Sequence, residues 1–216
     1  MLQLSLGRPN RAMRLLCIGA HSDDLEIGCG GTVLKWLSIY DRVEVTWVVL
    51  CAPAVREIEA RRSANALLRR ARRKRLLLRN YTDGRLPAQF TDAKDLFEEL
   101  KGGEQPDVIF THSLDDRHQD HRLVAELTWQ TFRDHLIFEY EIPKYEGDLG
   151  KPNLYIQLPA SAGKRKVAHL MRYFGSQRSK SWFRPTTFYG VLQLRGIECR
   201  SGSGYAEAFH ARKCVA

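Results

Sequence analysis

The sequence predicts an α/β protein, a Rossmann-like three-layer αβα sandwich built on a mainly parallel sheet. Short apolar runs rich in Val, Ile and Leu alternate with segments of helical periodicity. Strand, helix and strand follow one another at short spacing, which is typical of right-handed βαβ units. No internal repeat, low-complexity segment or linker interrupts the chain, so residues 1–216 are predicted to form one domain.

The first half of the chain contains four predicted strands and three predicted helices. The strands are expected at 14–20, 42–52, 75–81 and 107–113. The helices are expected over 28–40, 56–73 and 91–101. In the second helix, alanine and leucine recur at helical spacing and leave arginines on the other face. Thr91 is predicted to cap the third helix, and the pair Gly102 and Gly103 to end it.

The second half continues the alternation. A helix is predicted over 118–136, a strand at 137–143, a strand-like run at 153–159 and a helix near 164–174. In open parallel sheets, ligands bind outside the carboxyl ends of the strands. Residues that directly follow the predicted strands are therefore the first candidates for a functional site.

The composition indicates an ordinary globular protein without a membrane span. Apolar residues make up 44% of the chain and charged residues 27%. No window approaches the roughly 18 uninterrupted apolar residues of a membrane helix, and the first residues lack a signal-peptide pattern. The five cysteines include no closely spaced pair, which favours reduced thiols. A cytoplasmic location is therefore expected.

The formal net charge of +9 is concentrated in one stretch. Ten Lys or Arg residues lie between Arg56 and Arg79, against only Glu57 and Glu59. Such a stretch is either a solvated surface or a surface that attracts an anionic partner, such as a nucleotide-sugar, a polysaccharide or a nucleic acid. No helix-turn-helix, zinc-finger or RNP-type motif accompanies it, which argues against nucleic acid. Whether the arginines contact substrate or only solvent stays open.

Two clusters of His and Asp follow predicted strands. The stretch "HSDD" comes after the first strand, and "THSLDDRHQDHR" after the fourth. Because parallel strands end at the same edge of a sheet, the two clusters are expected to converge. Each residue alone has a simpler explanation. Asp23 or Asp24 could cap a helix, and His118 and His121 could share an exposed helix face.

Together, the two clusters contain the ligands of a catalytic zinc site. Such sites take three protein ligands from His and carboxylate and keep a fourth position for water. His21, one aspartate of the first cluster and one histidine of the second would supply this set. Zinc lowers the pKa of its water to about 7, and a neighbouring carboxylate that does not bind the metal can take the proton.

The motifs resemble those of the PIG-L/LmbE-like zinc-dependent N-deacetylases. "AHSDDLEIGCGG" is similar to the family's AHPDDE-type first motif, and "DRHQDHR" to its HxDH second motif. "REIEARRSA", "YTDGRLP", "DVIFTH" and "GYAEAFHARK" resemble further segments in the same order, so the resemblance covers most of the chain. Ser22 and Gln119 stand where proline is usual, and Leu25 displaces a glutamate to Glu26. None of these positions is a metal ligand in the family.

The resemblance implies an activity and a metal site. The activity is zinc-dependent hydrolysis of an N-acetyl group from an amino sugar or sugar conjugate, which releases acetate. His21, Asp24 and His121 would bind Zn²⁺. Asp23 would be the general base that activates water. An alternative within the family is hydrolysis of another N-acyl group or of a carbamoyl group.

The resemblance also implies roles for residues around the metal. His118 would stabilise the oxyanion or protonate the leaving amine, and Asp120 would orient His118. Arg56 and Asp83 match positions that contact the sugar in relatives. The stretch "GYAEAFHARK" is expected to close one wall of the pocket. The substrate class remains an N-acetylated small molecule or glycan, with the basic stretch favouring an anionic one, and homo-oligomer formation stays open.

Overall fold

A computed structural model describes Leu6 and residues 11–215 of the chain. The strands are β1 (Met13–His21), β2 (Val43–Cys51), β3 (Arg73–Leu78), β4 (Val108–His112), β5 (Ile137–Tyr140), β6 (Leu154–Gln157) and β7 (Ala206–His210). The helices are α1 (Asp24–Gly28), α2 (Gly30–Ile39), α3 (Val55–Leu67), α4 (Phe90–Lys101), α5 (Gln119–Thr131), α6 (Ala160–Tyr173) and α7 (Pro185–Glu198). These strands form one sheet in the order β3-β2-β1-β4-β5-β7-β6.

Helices cover both faces of this sheet and form the outer layers of the sandwich. Side chains alternate along β1, so that Leu15 and Cys17 join one apolar core while Leu16 and Ile18 join the other. The first core is covered by α1, α2, α3, α6 and α7, and the second by α4 and α5. The predicted three-layer α/β architecture is confirmed.

The sheet is parallel through its first five strands. β3, β2, β1, β4 and β5 run in the same direction, whereas β7 pairs antiparallel with both β5 and β6. β1 and β4 are direct neighbours, with Leu15 opposite Val108 and Cys17 opposite Phe110. Their carboxyl ends, at His21 and His112, therefore lie at the same edge of the sheet, as predicted.

The antiparallel strand β7 is tied to the start of α2. The Glu207 carboxylate accepts hydrogen bonds from the backbone N–H of Gly31 (2.8 Å) and Thr32 (2.6 Å), and from Lys166 Nζ (2.5 Å). Glu207 thus satisfies donors that the first turn of a helix leaves unpaired. A Cβ at Gly31 would come within 2.6 Å of Leu158 Cδ1 and 2.8 Å of the Glu207 carboxylate, so glycine permits this close approach without displacing either side chain.

The basic stretch is split between a helix and a strand. The helix predicted over 56–73 ends at Leu67, and the chain enters β3 at Arg73. This difference arises because β3 pairs with β2, placing Arg73 opposite Glu44. Strand pairing satisfies the backbone of this segment while its arginines and lysine stay at the surface.

Two predicted helix starts also differ from the structure. The helix predicted over 28–40 is preceded by α1 and broken at Cys29, which separates α1 from α2. Thr91 lies inside the first turn of α4 and does not cap it, because the N-cap position is Gln89. Gly102 ends α4 as predicted.

Within the described part of the chain, no helix combines the length and apolar character needed to cross a membrane.

Candidate metal centre and active site

The two His and Asp clusters converge at the carboxyl edge of the sheet. His21 is the last residue of β1, and Asp24 follows at the start of α1. His121 lies in the first turn of α5, which begins just beyond the loop that leaves β4. Since β1 and β4 are parallel neighbours, this connection brings His121 back onto the end of β1.

Three potential metal ligands point at one another. His21 Nδ1 lies 3.1 Å from His121 Nε2 and 3.4 Å from Asp24 Oδ2. His121 Nε2 lies 3.6 Å from Asp24 Oδ2. Zinc–nitrogen and zinc–oxygen bonds of about 2.0–2.2 Å in a tetrahedron require ligand atoms roughly 3.3–3.6 Å apart. The three separations are close to those of a tetrahedral site.

Hydrogen bonds on the far side of each ring determine which nitrogen carries a lone pair. His121 Nδ1 lies 2.9 Å from Asp116 Oδ2, and His21 Nε2 lies 3.1 Å from Asp120 Oδ2. A carboxylate can only accept, so these two nitrogens carry the protons. His21 Nδ1 and His121 Nε2 therefore turn lone pairs toward the Asp24 carboxylate. Three electron-pair donors at this distance fit a cation between them, and the donor set of two His and one carboxylate suits zinc.

The pKa shifts of two candidate ligands also favour a positive charge at this place. Burial lowers the pKa of His21, but Asp24, Asp120 and Asp83 together raise it well above its ordinary value. Burial raises the pKa of Asp24, but His121, His112 and His21 lower it well below its ordinary value. Both shifts favour one positive charge beside an ionised Asp24, which without a metal is a second proton on His21, carried by Nδ1. A metal ion bound by Nδ1 would replace this proton.

Two other groupings of potential ligands at this edge are less suited to a metal. Cys51 lies near His21 and Asp120, but the Asp120 carboxylate already accepts hydrogen bonds from the backbone N–H groups of Gly84 and Leu86 and from His21 Nε2. His112 lies near Asp24 and His121, but its Nε2 is already within hydrogen-bond distance of two groups, the backbone N–H of Ala20 (3.0 Å) and Asp24 Oδ2 (3.1 Å). We therefore assign His112 a packing role, in which its ring stacks on His121 with centroids 3.9 Å apart.

Asp23 is buried beside the candidate ligands, and its side chain does not cap the helix although the residue occupies the N-cap position of α1. Its side chain makes no capping hydrogen bond to α1, and only 3% of the residue is exposed. Its nearest charged partner is Arg56, whose Nη2 lies 3.4 Å from Oδ1. Burial and the neighbouring Asp24 raise the pKa of Asp23, while Arg56 opposes the shift. A buried carboxylate with a raised pKa, next to a candidate metal ligand, has the properties expected of a general base.

His118 presents an N–H to the same space. Its Nδ1 accepts a hydrogen bond from the backbone N–H of Asp120 at 3.3 Å, so in the neutral ring the proton is on Nε2. Burial and the nearby His21 lower the pKa of His118, which keeps the ring neutral. The His118 ring centroid lies 5.0 Å from that of His21 and 4.5 Å from that of His121. A neutral ring in this position can donate a hydrogen bond to an oxyanion.

Arg56 and Asp83 form an ion pair at the rim of the ligand cluster. Arg56 Nη1 lies 2.5 Å from Asp83 Oδ2, and Asp83 Oδ1 lies 3.1 Å from His21 Nε2. The hydrogen bond with His21, reinforced by Arg56, holds the pKa of Asp83 well below its usual range against the effect of burial. The two residues predicted to contact a sugar are thus adjacent to the candidate metal ligands.

The Asp120 side chain contacts a different histidine from the one predicted. Its carboxylate accepts hydrogen bonds from the backbone N–H of Gly84 (2.7 Å) and Leu86 (3.1 Å) and lies on His21 Nε2. Only the backbone N–H of Asp120 meets His118. The reason is that the turn after β3 places the backbone N–H groups of Gly84 and Leu86 beside this carboxylate. Their hydrogen bonds direct the carboxylate toward the end of β1. Asp120 therefore orients His21.

Asp116 received no role from the sequence alone. It is buried, and it holds both His121 Nδ1 and Lys144 Nζ, the latter at 3.1 Å. Lys144 is held in turn by Asp148 at 2.6 Å. The available signal was the position of Asp116 five residues before His121, in a loop that must fold back onto its own helix.

The fold and the site together define an α/β protein with a histidine and carboxylate centre at the carboxyl edge of a parallel sheet. A family model described as PIG-L, GlcNAc-PI de-N-acetylase, matches residues 16–132. This match covers more than half of the chain and includes both clusters, so the chain belongs to the PIG-L family. No curated protein matches the chain in sequence.

Several solved structures share the fold. A conserved protein from Thermus thermophilus is 21% identical with a TM-score of 0.70, covering 94% of this chain and 95% of that one. The N,N'-diacetylchitobiose deacetylase from Pyrococcus horikoshii is 21% identical with a TM-score of 0.65, covering 92% and 83%. The 4-carboxy-2-hydroxymuconate hydratase GalB from Pseudomonas putida is 15% identical with a TM-score of 0.72, covering 94% and 98%. At these identities the likeness shows the fold alone.

Proposed function

We propose that this chain is a zinc-dependent amide hydrolase that removes the acetyl group from an N-acetylated amino sugar or sugar conjugate. His21, Asp24 and His121 would hold the zinc. The observation that carries the proposal is the convergence of three electron-pair donors, 3.1–3.6 Å apart, beside the buried and unligated carboxylate of Asp23. Membership of the PIG-L family supports the same reaction class.

Each side chain has a task in such a hydrolysis. Asp23 takes a proton from the water that attacks the acetyl carbonyl carbon. His118 donates its Nε2–H to the carbonyl oxygen as negative charge develops there. When the carbon–nitrogen bond breaks, Asp23 returns the proton to the leaving nitrogen. The immediate products are acetic acid and a free amine, and transfer of one proton between them gives acetate and an ammonium group, so atoms and charge balance.

The residues around these groups hold them in place. Asp120 fixes the proton of His21 on Nε2, and Asp116 fixes that of His121 on Nδ1. When bound, zinc would polarise the acetyl carbonyl and make water acidic enough to provide a nucleophile at neutral pH. Arg56 would contact the sugar while its ion pair with Asp83 keeps it extended over the site.

The reaction and the substrate are both open to a direct test. Because one protein with this fold is named a hydratase, the fold does not decide the reaction. The zinc-loaded chain would be incubated with N-acetylglucosamine, diacetylchitobiose and an anionic N-acetylglucosamine conjugate. Matched N-propionyl and N-carbamoyl sugars and an unsaturated hydroxy acid would be tested in parallel. We expect equal amounts of acetate and primary amine from at least one N-acetyl sugar.

The matched control is Asp23→Asn, which keeps the size of the side chain and removes the proton acceptor. Acetate release should fall with this substitution while bound metal remains. Amine release only from the N-propionyl or N-carbamoyl sugars would favour another N-acyl or carbamoyl substrate. Loss of the carbon–carbon double bond of the acid without amine release from any sugar would show a hydratase and contradict the proposal.

A further inference from the structure

Arg212 lies outside the family match and reaches the loop that carries half of the candidate site. It follows β7 in the C-terminal segment. Its guanidinium holds the Glu139 carboxylate through Nε at 2.6 Å and Nη2 at 2.9 Å. The same Nη2 lies 2.9 Å from Asp115 Oδ2, in the loop between β4 and α5. One side chain therefore joins the C-terminal segment to β5 and to the loop.

Glu139 is the centre of this junction. It is fully buried on β5, and it also accepts a hydrogen bond from Trp129 Nε1 of α5 at 2.7 Å. Ser113 Oγ (3.2 Å) and the backbone N–H of Leu114 (3.3 Å) donate to it from the start of the loop. Among the described residues, Arg212 is the only cation that pairs with Glu139. A buried carboxylate left without its cation is strongly unfavourable, so Arg212 keeps the junction together.

The loop held in this way leads directly to a candidate metal ligand. The backbone N–H of Asp116 donates to Ser113 O at 3.2 Å, and the Asp116 carboxylate holds His121 Nδ1 at 2.9 Å. His121 lies on the same helix as Trp129. Both the loop and the helix that position His121 are thus anchored on the Glu139 carboxylate.

We infer that Arg212 is a positioning residue for the metal site, which orients His121 through Glu139, the loop from Ser113 and Asp116. This inference rests on the proposed function, since His121 is a metal ligand only under that proposal. Arg212 contacts no reacting group. Its side chain holds the buried carboxylate and the loop at once, a task that a planar guanidinium with several fixed donors suits better than an ammonium.

A matched control lies next to Arg212 in the chain. Lys213 holds the same C-terminal segment, because its Nζ donates to Arg133 O at 2.5 Å and lies 5.4 Å from the centre of the Trp129 ring. It has no bond to the loop or to Glu139. Lys213→Gln therefore loosens the segment without releasing the loop, whereas Arg212→Gln releases both.

The first measurement is metal affinity in the full chain. Zn²⁺ would be titrated into metal-free protein against a competing chelator, with no substrate present. Arg212→Gln should weaken affinity by about 10–100-fold, as loss of residues that orient metal ligands does. Arg212→Lys should recover part of this loss. Asp115→Asn removes only the ion pair between Arg212 and the loop, so it should lower zinc affinity less. The zinc affinity of Lys213→Gln should stay within about twofold of that of the wild type.

The second measurement needs no metal. The Nδ1–H proton of His121, hydrogen-bonded to a buried carboxylate, should be protected from exchange and visible by NMR in the metal-free wild type. It should persist in Lys213→Gln and be lost or broadened by exchange in Arg212→Gln. If Arg212→Gln does not fold, Arg212→Lys and Asp115→Asn provide the same comparison.

Equal behaviour of the Arg212 and Lys213 variants in both measurements would overturn the inference and leave Arg212 as a tether of the C-terminal segment. A wild type that binds no metal would instead refute the proposed function. In that case the NMR signal would still show whether Arg212 positions His121. The two failures are therefore distinguishable.

Discussion

Two charged regions of this protein behave in opposite ways. The first is the site cluster, made of His21, Asp23, Asp24, His112, Asp116, Asp120 and His121, and each of these residues is at most 7% exposed. The second is the arginine strip, made of Arg61, Arg72, Arg73, Arg75 and Arg79, whose side chains are 38–64% exposed. The strip holds more charge in the sequence, but the cluster has the properties of a reactive site.

The two regions differ in the surroundings of their charges. Glu57, Glu44, Glu104 and Glu99 lie within 4.0 Å of the arginines of the strip, and three of these glutamates come from outside the basic stretch. Exposed pairs of this kind each contribute about 0–1 kcal/mol and are screened by salt. In the cluster, burial removes the screening, and neighbouring charges shift pKa values in both directions. Burial and convergence, rather than charge count, mark the functional region.

The largest effect should come from removing a predicted ligand of the cluster. His21→Ala and His121→Ala should each lose most of the bound zinc and with it the activity, because two remaining ligands do not hold a catalytic metal. Elemental analysis of the purified variants measures the zinc per chain. Lys35→Ala, which removes a side chain whose hydrogen bond goes to Gln157 O and not to the cluster, serves as control. Zinc retained in both histidine variants would contradict the assignment.

A separate effect should distinguish the two adjacent aspartates. Asp23→Asn removes the proton acceptor, so zinc should remain while kcat falls by roughly 10²–10⁴-fold. Asp24→Asn replaces an anionic ligand by a neutral amide, so zinc affinity itself should fall. Kinetics with and without excess zinc would separate the two. Added zinc should recover part of the activity of the Asp24 variant and none of that of the Asp23 variant, and the reverse pattern would exchange their roles.

A smaller effect concerns His169, which is half-buried and so intermediate in exposure between the site cluster and the arginine strip. Its Nε2 lies 2.7 Å from Ser63 Oγ, and burial, together with the positive Arg165 and Arg172, lowers its pKa to about 4. The unfolded chain, with a histidine pKa of about 6.5, then binds more protons between these values. Folding stability should therefore rise with pH from about 4 to about 6.5.

The variant His169→Gln, which cannot titrate, should show a shallower rise than the wild type. Urea unfolding of metal-free protein at several pH values across this range would give both slopes. The other titrating groups are common to the two proteins, so the difference isolates His169. Equal slopes, or a steeper one in the variant, would show that the pKa of His169 is not lowered by folding.

The smallest effect should come from the arginine strip. Reversing the charge of Arg61, Arg72 and Arg73 should leave kcat/KM within about twofold for any substrate, since exposed and paired charges contribute little. Kinetics at low and high salt provide the measurement. A substantial fall in kcat/KM at low salt that disappears at high salt would show that the strip attracts an anionic substrate. Arg56 is excluded from this set because it contacts Asp23 and Asp83.

The amino-acid sequence by itself determined the layer architecture and the presence of two His and Asp clusters. Apolar runs and helical periodicity are local properties, so they were sufficient to predict β1, β2, β4 and most of α2, α3 and α4, but not α1 or the end of α3 at Leu67. The convergence of the clusters also followed, because neighbouring parallel strands end at one edge. The ligand assignment to His21, Asp24 and His121 came from the family resemblance and stays a prediction.

Only the tertiary structure decided which groups hold those side chains. Asp120 contacts His21, which is 99 residues away in the sequence, and Arg212 contacts Glu139, which is 73 residues away. Such partners leave no periodic trace in the sequence, because packing of distant segments brings them together. Hydrogen-bond direction then decides where each proton and lone pair lies. The hydrogen bonds made Asp116, to which the sequence assigned no role, the partner of His121, and they placed Asp120 beside His21 rather than beside His118.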